Sequence, residues 1–158
     1  MNVSPPEEYL YFLLNRASLS VTSLFKKALK KNGLPQVKPS YLGVLICLWR
    51  KEAMDELLSK LGSQEGMPLG ELGKSAGVEP STITGLIDRM EKDGLVQRSQ
   101  VPGDRRSHRA VLTDKGSALR NEALQAMLDM EQEAFAGIDP EDLAVFKSVL
   151  KQVLANAK

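Results

Sequence analysis

The feature that most restricts the fold lies in the middle of the chain, where two short helical segments precede two strand-like segments. The helical segments, about residues 69–76 and 80–92, are separated by Gly77, a residue type that commonly ends a helix in the left-handed conformation. The strand-like segments, 95–98 and 109–112, are separated by a Pro-Gly-Asp turn signal. This order predicts a compact module in which the second helix is followed directly by a hairpin.

The second helical segment combines an apolar stripe with a small, polar first turn. The apolar residues recur at helical spacing, at Ile83, Leu86, Ile87 and Met90. Short hydroxyl side chains occupy the first turn: Ser81, Thr82 and Thr84. Such residues often only cap a helix, but here they open a helix that a hairpin follows. A helix of about 10–12 Å diameter matches a major groove of about 12 Å, and small polar residues let its backbone approach DNA. Arg89 has the reach for a phosphate oxygen.

The hairpin tip, residues 101–109, holds three arginines against one acidic residue. A narrow minor groove concentrates negative potential and attracts inserted arginine. Asp104 is close enough in sequence to orient Arg106, while Arg105 and Arg109 add positive charge. A charged tip by itself would be a solvated loop. Together with the helices it predicts a winged helix-turn-helix that binds double-stranded DNA.

Helices are also expected on both sides of this module. Ser4 is expected to cap the first helix, with Glu7 at the capping-box position, an apolar stripe from Leu10 to Ala28, and an end at Asn32. A second helix begins near residue 39 and keeps its period to about residue 61, as one helix or two. Residues 62–68 read as a loop.

Two more helices are expected after the hairpin. Thr113 can cap a helix that continues to about Phe135, and Asp139 can cap the last one. The predicted class is mainly α with a small β-hairpin wing, in which N- and C-terminal helices flank the winged helix-turn-helix core. The first helix and the last two helices each carry an apolar stripe that one small core cannot bury, which predicts a dimer.

Composition excludes several kinds of protein. The formal net charge of the 158 residues is +1, so the chain is not a uniformly basic nucleic-acid coat protein. No window approaches the roughly 20 apolar residues of a membrane span, so a soluble, cytoplasmic protein without a membrane partner is expected. His108 has no ligand cluster near it, and no nucleophile–base pair or phosphate loop is visible. We therefore expect no metal, no cofactor and no enzymatic activity.

Two stretches of the sequence resemble the MarR (multiple antibiotic resistance regulator) family. Residues 79–96 read EPSTITGLIDRMEKDGLV and resemble its recognition helix. Residues 104–107, DRRS, followed by 112–116, LTDKG, are similar to its wing signature. The helical layout on both sides also fits this family.

The resemblance implies a homodimeric repressor that recognises a pseudo-palindromic operator. It implies a dimerisation domain of residues 1–38 and 114–158 and a DNA-binding domain of residues 39–113. In the family, the residues that match Ser81, Thr82 and Thr84 face the major groove. The match of Arg89 meets the DNA backbone and that of Arg106 enters the minor groove.

This chain departs from the family pattern at two places. Gly85 stands where many members carry a longer polar or basic side chain, so direct base reading by the helix is expected to be reduced. The segment 52–66 is longer than the usual connection between the second and third helices.

A regulator of this kind is expected to be released from DNA by a small effector, aromatic or anionic. Tyr9, Phe12 and Trp49 are candidates to line its cleft, although they suit a core or a dimer interface equally well. Cys47 lies in an apolar helix interior and reads as core, the alternative being a redox-sensing regulator. A further alternative is a helical dimeric interaction protein that has lost specific DNA binding.

Overall fold

A computed structural model describes residues 3–57, 66–101 and 104–157, without the side chains of residues 101 and 104–107. Short 3-10 turns at Pro6–Glu8 and Pro39–Tyr41 precede the first two α-helices. The remaining elements are α1 (Leu10–Lys31), α2 (Leu42–Leu57), β1 (Met67–Pro68), α3 (Leu69–Ala76), α4 (Pro80–Lys92), β2 (Val96–Val101), β3 (Asp104–Leu112), α5 (Asp114–Ala118), α6 (Arg120–Ala134) and α7 (Pro140–Asn156). The predicted class, mainly helical with a small β wing, is confirmed. The second helix is continuous to Leu57, and the remainder of its predicted length lies outside the described residues.

The sheet has three antiparallel strands in the order β1-β3-β2, where the sequence predicted only the hairpin. Met67 and Pro68 were expected to lie in a loop, but they pair with Ala110 and Arg109 of β3. Met67 is buried, which explains why this short segment joins the sheet. Pro68 lacks a backbone N–H, and an edge strand tolerates that loss. The rest of the expected loop, before Gly66, lies outside the described residues.

The predicted capping of the first helix by Ser4 and Glu7 is wrong. The helix begins at Leu10, and the Ser4 backbone N–H donates instead to the Tyr9 hydroxyl at 3.2 Å. Pro5 adopts an extended conformation, with φ −56° and ψ 149°, because the proline that follows it disfavours the helical one. Only one 3-10 turn forms before Tyr9, itself extended, interrupts the helix.

The helix predicted from Thr113 to about Phe135 is divided at Leu119 into α5 and α6. The Thr113 cap is confirmed, since its hydroxyl oxygen accepts from the Gly116 backbone N–H at 3.0 Å. The Gly116 carbonyl, however, accepts the indole N–H of Trp49. In a continuous helix the same carbonyl would accept the backbone N–H of residue 120, so the indole contact lies at the place where the helix is divided.

The core lies between α2, α3, α4 and the sheet. The apolar stripe of α4 is fully buried there, as its period predicts. Other fully buried members of this core are Tyr41, Leu45, Leu72, Leu95 and Ala110. A second part of the core forms where α1 packs on α6, through Phe25, Leu29, Ala123 and Ala126.

The two ends of the chain leave large apolar side chains in solvent. The described residues of α7 include none that is buried, although Val145, Phe146, Val149, Val153 and Leu154 are all large and apolar. The first turns of α1 expose Leu10, Tyr11, Phe12, Leu13 and Leu14. Among the described helices, none is both long and apolar enough to cross a membrane.

Candidate nucleic-acid interface

A tight turn sets α4 against α3. Gly77 ends α3 in the left-handed conformation, with φ 67°, which glycine adopts without steric cost. The next residue, Val78, donates its backbone N–H to the Gly73 carbonyl at 2.8 Å. Two helices joined in this way, the second leading into a hairpin, form the helix-turn-helix that the sequence predicted.

The outer face of α4 is polar and exposed. Ser81, Thr82, Thr84 and Arg89, all predicted to meet DNA, lie in solvent on the helix whose apolar stripe is buried. The residue at the cap position is Glu79, and it makes no side-chain capping hydrogen bond. The hydroxyls of the first turn therefore lie within the helix and are not at its cap position. They can serve as short hydrogen-bonding groups on an approachable surface.

Gly85 lies one turn after Ser81 on this outer face. It is not among the glycines with positive φ in the described chain. An added Cβ would meet only Arg89, whose Nη1 atom is 3.6 Å away, an ordinary contact. Neither the backbone conformation nor the packing of this chain requires a glycine here.

Hydrogen bonds from Tyr41 and Lys115 hold the C-terminal end of α4 in place. The buried Tyr41 donates its hydroxyl to Asp93 Oδ2 at 2.6 Å, and Lys115 donates to the Asp93 carbonyl at 2.7 Å. Burial raises the pKa of the Tyr41 hydroxyl, and its hydrogen bond to Asp93 acts in the same direction. The hydrogen bond with Tyr41 in turn raises the pKa of Lys38, whose ammonium lies 3.7 Å from Asp93.

Arg98 of β2 holds the middle of α4, and it was not among the site residues predicted from the sequence. Its guanidinium contacts Asp88 Oδ1 at 2.6 Å, Glu91 Oε2 at 2.9 Å and the Thr84 carbonyl at 3.2 Å. A sequence signal was available, because Asp88 and Glu91 are three residues apart on one helix and an arginine follows in the adjoining strand.

The wing, defined here as residues 96–112, is built around β3. Arg109 is half-buried and pairs with Ser99 of β2, whereas His108 is exposed and pairs with Gln100. Asp104, Arg105 and Arg106 begin β3, but their side chains lie outside the described part of the structure. The orientation of Arg106 by Asp104 therefore stays a prediction.

Comparison with known proteins agrees with this architecture. The family model described as "MarR family" matches residues 56–108. The HTH-type transcriptional regulator MhqR of Bacillus subtilis (strain 168) is 30% identical over 149 residues, which cover 94% of this chain and 92% of MhqR. The chain belongs to the MarR family. It is therefore a transcriptional regulator, as the two sequence stretches predicted.

Solved structures share the fold with this MarR-family chain. The CouR repressor of Rhodococcus jostii RHA1, solved with a 23-mer DNA duplex, has a TM-score of 0.75 and 24% identity, with 98% of each chain covered. BpsR of Bordetella bronchiseptica, whose DNA binding is regulated by 6-hydroxynicotinic acid, has a TM-score of 0.77 and 22% identity. That comparison covers 96% of this chain and 97% of BpsR.

The aromatic residues predicted to line an effector cleft occupy two different environments. Tyr9 and Phe12 are partly exposed at the start of α1, with ring centroids 6.5 Å apart. Trp49 is only 3% exposed and its N–H is hydrogen-bonded in the core. These positions favour the core interpretation for Trp49, while the effector role of the three residues stays a prediction.

A cavity of about 740 Å³ opens where the end of α2 faces β3 and α5. Carboxylates dominate its charged lining: Glu52, Asp55, Glu56 and Asp114, with Arg120 as the cation. Glu52 accepts a hydrogen bond from Ser117, and Asp55 pairs with Lys51. The three predicted effector residues do not line this cavity.

Cys47 of this MarR-family chain is half-buried in α2. Burial raises the pKa of its thiol, and the nearby Arg50 offsets only part of that effect. A raised pKa disfavours the thiolate, the reactive form of cysteine. The environment therefore agrees with a packing role for this side chain.

Proposed function

We propose that this MarR-family regulator binds double-stranded DNA as a homodimer, with α4 in the major groove and the wing at the minor groove. The observation that carries the proposal is the division of α4 into a buried apolar face and an exposed polar face. A helix held by its neighbours at Asp88, Glu91 and Asp93 can present that outer face as a rigid unit. The protein would act in the cytoplasm, as a repressor and without enzymatic activity.

Individual residues would share the interaction by position and chemistry. Ser81, Thr82 and Thr84 would meet base edges and phosphates in the major groove, since their side chains are short and exposed. Arg89, farther along the helix, would pair with a phosphate oxygen.

The wing would supply the remaining contacts from Asp104, Arg105, Arg106 and Arg109. Arg106 would enter the minor groove, oriented by Asp104. This assignment rests on the sequence pattern of the tip and on the position of these residues at the start of the central strand.

The exposed apolar faces of α1 and α7 support the homodimer. Residues 1–38 and 114–158 would form its dimerisation domain, and residues 39–113 the DNA-binding domain. A two-fold interface that covers both faces would bury roughly 2,000 Å² or more, the size of an obligate dimer. Such a dimer matches a pseudo-palindromic operator whose half-sites lie about 34 Å apart.

The effector would be a small aromatic or anionic molecule that binds the two dimer conformations unequally. The exposed, mutually packed rings of Tyr9 and Phe12 support an aromatic ligand near the start of α1. In BpsR, a protein of the same fold, 6-hydroxynicotinic acid regulates DNA binding.

The direct test is a binding titration of the protein against DNA from upstream of its own gene, with a scrambled duplex as control. We expect preferential binding to the upstream DNA, and an affinity that falls steeply with salt because phosphate contacts release counterions. Equal binding to both duplexes, or none, would favour the alternative of an interaction protein without specific DNA binding.

The dimer is tested separately by sedimentation. We expect a stable dimer at micromolar concentration, and dissociation when Val149 in the exposed face of α7 is replaced in Val149→Asp. The matched variant Gln152→Asp makes the same change of charge on α7 at an exposed position outside the apolar set. A folded wild-type monomer would contradict the dimer.

A further inference from the structure

We infer that Arg98 is a positioning residue that holds the recognition helix α4 at a fixed angle to the wing. The inference rests on the proposed DNA-binding function and assigns a residue that the binding surface itself does not include. Arg98 belongs to β2, while the three side-chain partners that it has among the described residues belong to α4. One side chain therefore joins the two elements that would enter different grooves.

The partners of Arg98 form one stripe along α4. Thr84, Asp88 and Glu91 are spaced by four and three residues, so they lie on the same side of the helix. The Glu91 carboxylate accepts two hydrogen bonds from Arg98, one from its backbone N–H at 3.0 Å and one from Nη1 at 2.9 Å. This double contact attaches the backbone of β2 as well as the side chain.

Arginine suits this position for geometric reasons. The guanidinium is planar and presents five donors in a fixed fork, so it can hold two carboxylates and a carbonyl at once. Its side chain is 22% exposed, less than that of Asp88 at 49% or Glu91 at 40%. The guanidinium thus faces the α4–β2 junction, and within the described part of the chain its bonds are made to α4. A phosphate-binding arginine would instead direct its guanidinium into solvent.

The consequence for DNA is a rigid relation between α4 and the wing. In the proposed complex, α4 contacts base edges in the major groove while the wing contacts the adjacent minor groove. Both contacts can form at once only if α4 and the wing keep their relative placement. Loss of the Arg98 contacts would reduce the preference for specific sequence more than the general attraction to phosphate. Non-specific binding depends on charge and tolerates a looser geometry.

Two substitutions separate positioning from simple electrostatics. Arg98→Lys keeps the charge and removes the fork, so charge alone predicts unchanged binding. Asp88→Asn removes a negative charge near the DNA, so charge alone predicts tighter binding to any duplex. Positioning predicts that both variants lower the ratio of specific to non-specific affinity, by about tenfold, comparable to one mismatched base pair.

The matched control is Asp129→Asn, which makes the same change of charge in an ion pair between α1 and α6. It should leave the affinity ratio at the wild-type value. Binding of each variant is measured on the upstream and scrambled duplexes at one salt concentration. Thermal unfolding of each variant confirms that the fold is retained.

A measurement without DNA distinguishes this inference from the proposed function. Hydrogen exchange should accelerate in the peptides of α4 and β2 in Arg98→Lys, and remain at the wild-type rate in Asp129→Asn. Unchanged exchange, tighter specific binding by Asp88→Asn, or wild-type specificity of Arg98→Lys would each overturn the positioning role. If wild-type protein does not prefer the upstream duplex while exchange behaves as expected, the DNA proposal fails and the α4–β2 clamp stands.

Discussion

The indole N–H of Trp49 donates to the backbone carbonyl of Gly116 at 3.0 Å, inside the core where α2 meets α5. Both residues are buried, and the contact joins positions that are 67 residues apart in the chain. Gly116 also lies against the Leu95 carbonyl, at the end of the recognition module. This junction connects the helix-turn-helix to the helices that would form the dimer.

Replacement of this tryptophan tests the contribution of its hydrogen bond. Trp49→Phe keeps an aromatic ring but leaves the Gly116 carbonyl without the indole donor, so we expect a loss of about 1–3 kcal/mol in the free energy of unfolding. Urea unfolding followed by circular dichroism measures it, because Trp49 is the single tryptophan and fluorescence would be lost. Leu48→Met, a nearly volume-conserving change at the adjacent buried position, is the control and should cost less. A wild-type midpoint for Trp49→Phe would contradict the expectation.

The close approach of Gly116 to Leu95 allows no side chain. In Gly116→Ala the new Cβ would stand 2.0 Å from the Leu95 carbonyl oxygen, a backbone atom that cannot move aside cheaply. We expect severe destabilisation, seen as a large drop in the melting temperature or as insoluble protein. Gly70→Ala is the matched control, because no described atom beyond its own helix backbone and chain neighbours lies within 4 Å of its added Cβ. Equal melting temperatures for the two variants would show that the junction can relax.

Replacing Gly85, the glycine within the recognition helix, by alanine is expected to raise the stability of the protein. Among the described residues, the Cβ added in Gly85→Ala has only Arg89 as a near neighbour. Alanine favours a helix by up to about 1 kcal/mol over glycine. The melting temperature should therefore rise. Thermal unfolding checks this, and a decrease would show that the glycine has a structural role in the folded protein.

The Asp129 carboxylate makes stability depend on acid pH. Hydrogen bonds from Gln125, Asn32 and Lys31 lower its pKa from the ordinary value of 3.8. Because the folded-state pKa is lowered, its contribution is complete above the ordinary value and is lost as the pH falls through the lowered one. The difference in melting temperature between wild type and Asp129→Asn should be greatest near neutral pH and shrink below pH 3.8. A constant difference from pH 3 to pH 7 would refute this linkage.

The division of affinity between the helix and the wing is tested by two alanine variants. Arg106→Ala should weaken operator binding more than Thr84→Ala, because Gly85 leaves the helix with short side chains and the wing carries the arginines. The difference should be largest on operators with A·T-rich flanks, whose narrow minor groove attracts arginine. Anisotropy titrations on both kinds of flank measure it. A greater loss in Thr84→Ala would show that the helix supplies most of the affinity.

The orientation of Arg106 by Asp104 has its own test. Asp104→Ala removes a negative charge but should weaken binding, because the arginine would lose the partner that orients it. Charge alone predicts the opposite sign. Tighter operator binding by Asp104→Ala at physiological salt would show that the wing acts only as a diffuse cationic patch.

Local patterns were sufficient for the recognition module. The apolar period of α4 identified all four of its buried residues, and Gly77 adopts the positive φ angle that its turn position required. The Thr113 and Asp139 caps form as predicted, since each depends on groups two or three residues away. The same helical period places the hydroxyl residues and Arg89 on the face opposite the apolar stripe. The candidate DNA-contacting residues of α4 could therefore be named from the sequence.

Other features depended on contacts between distant segments. Ser4 and Glu7 have the residue types and spacing of a capping box. The chain after Pro5 forms only a 3-10 turn, however, and the Ser4 backbone N–H donates to the Tyr9 hydroxyl. Arg98 was predicted only as part of a strand, and the fold directs its charge to Asp88 and Glu91. The partners of Ser4 and Arg98 depend on which segments pack together in the folded chain, and local sequence patterns do not specify that.

The sequence by itself determined the helix-turn-helix followed by a hairpin, the buried stripe and polar face of α4, and the glycine turn before it, because these depend on backbone preferences within a few residues. The tertiary structure decided that Met67 joins the sheet, that Trp49 donates to the Gly116 carbonyl where α5 and α6 divide, and that Arg98 binds α4. In each case a group gains burial or a hydrogen-bond partner from a segment far along the chain, and that gain exceeds the local preference.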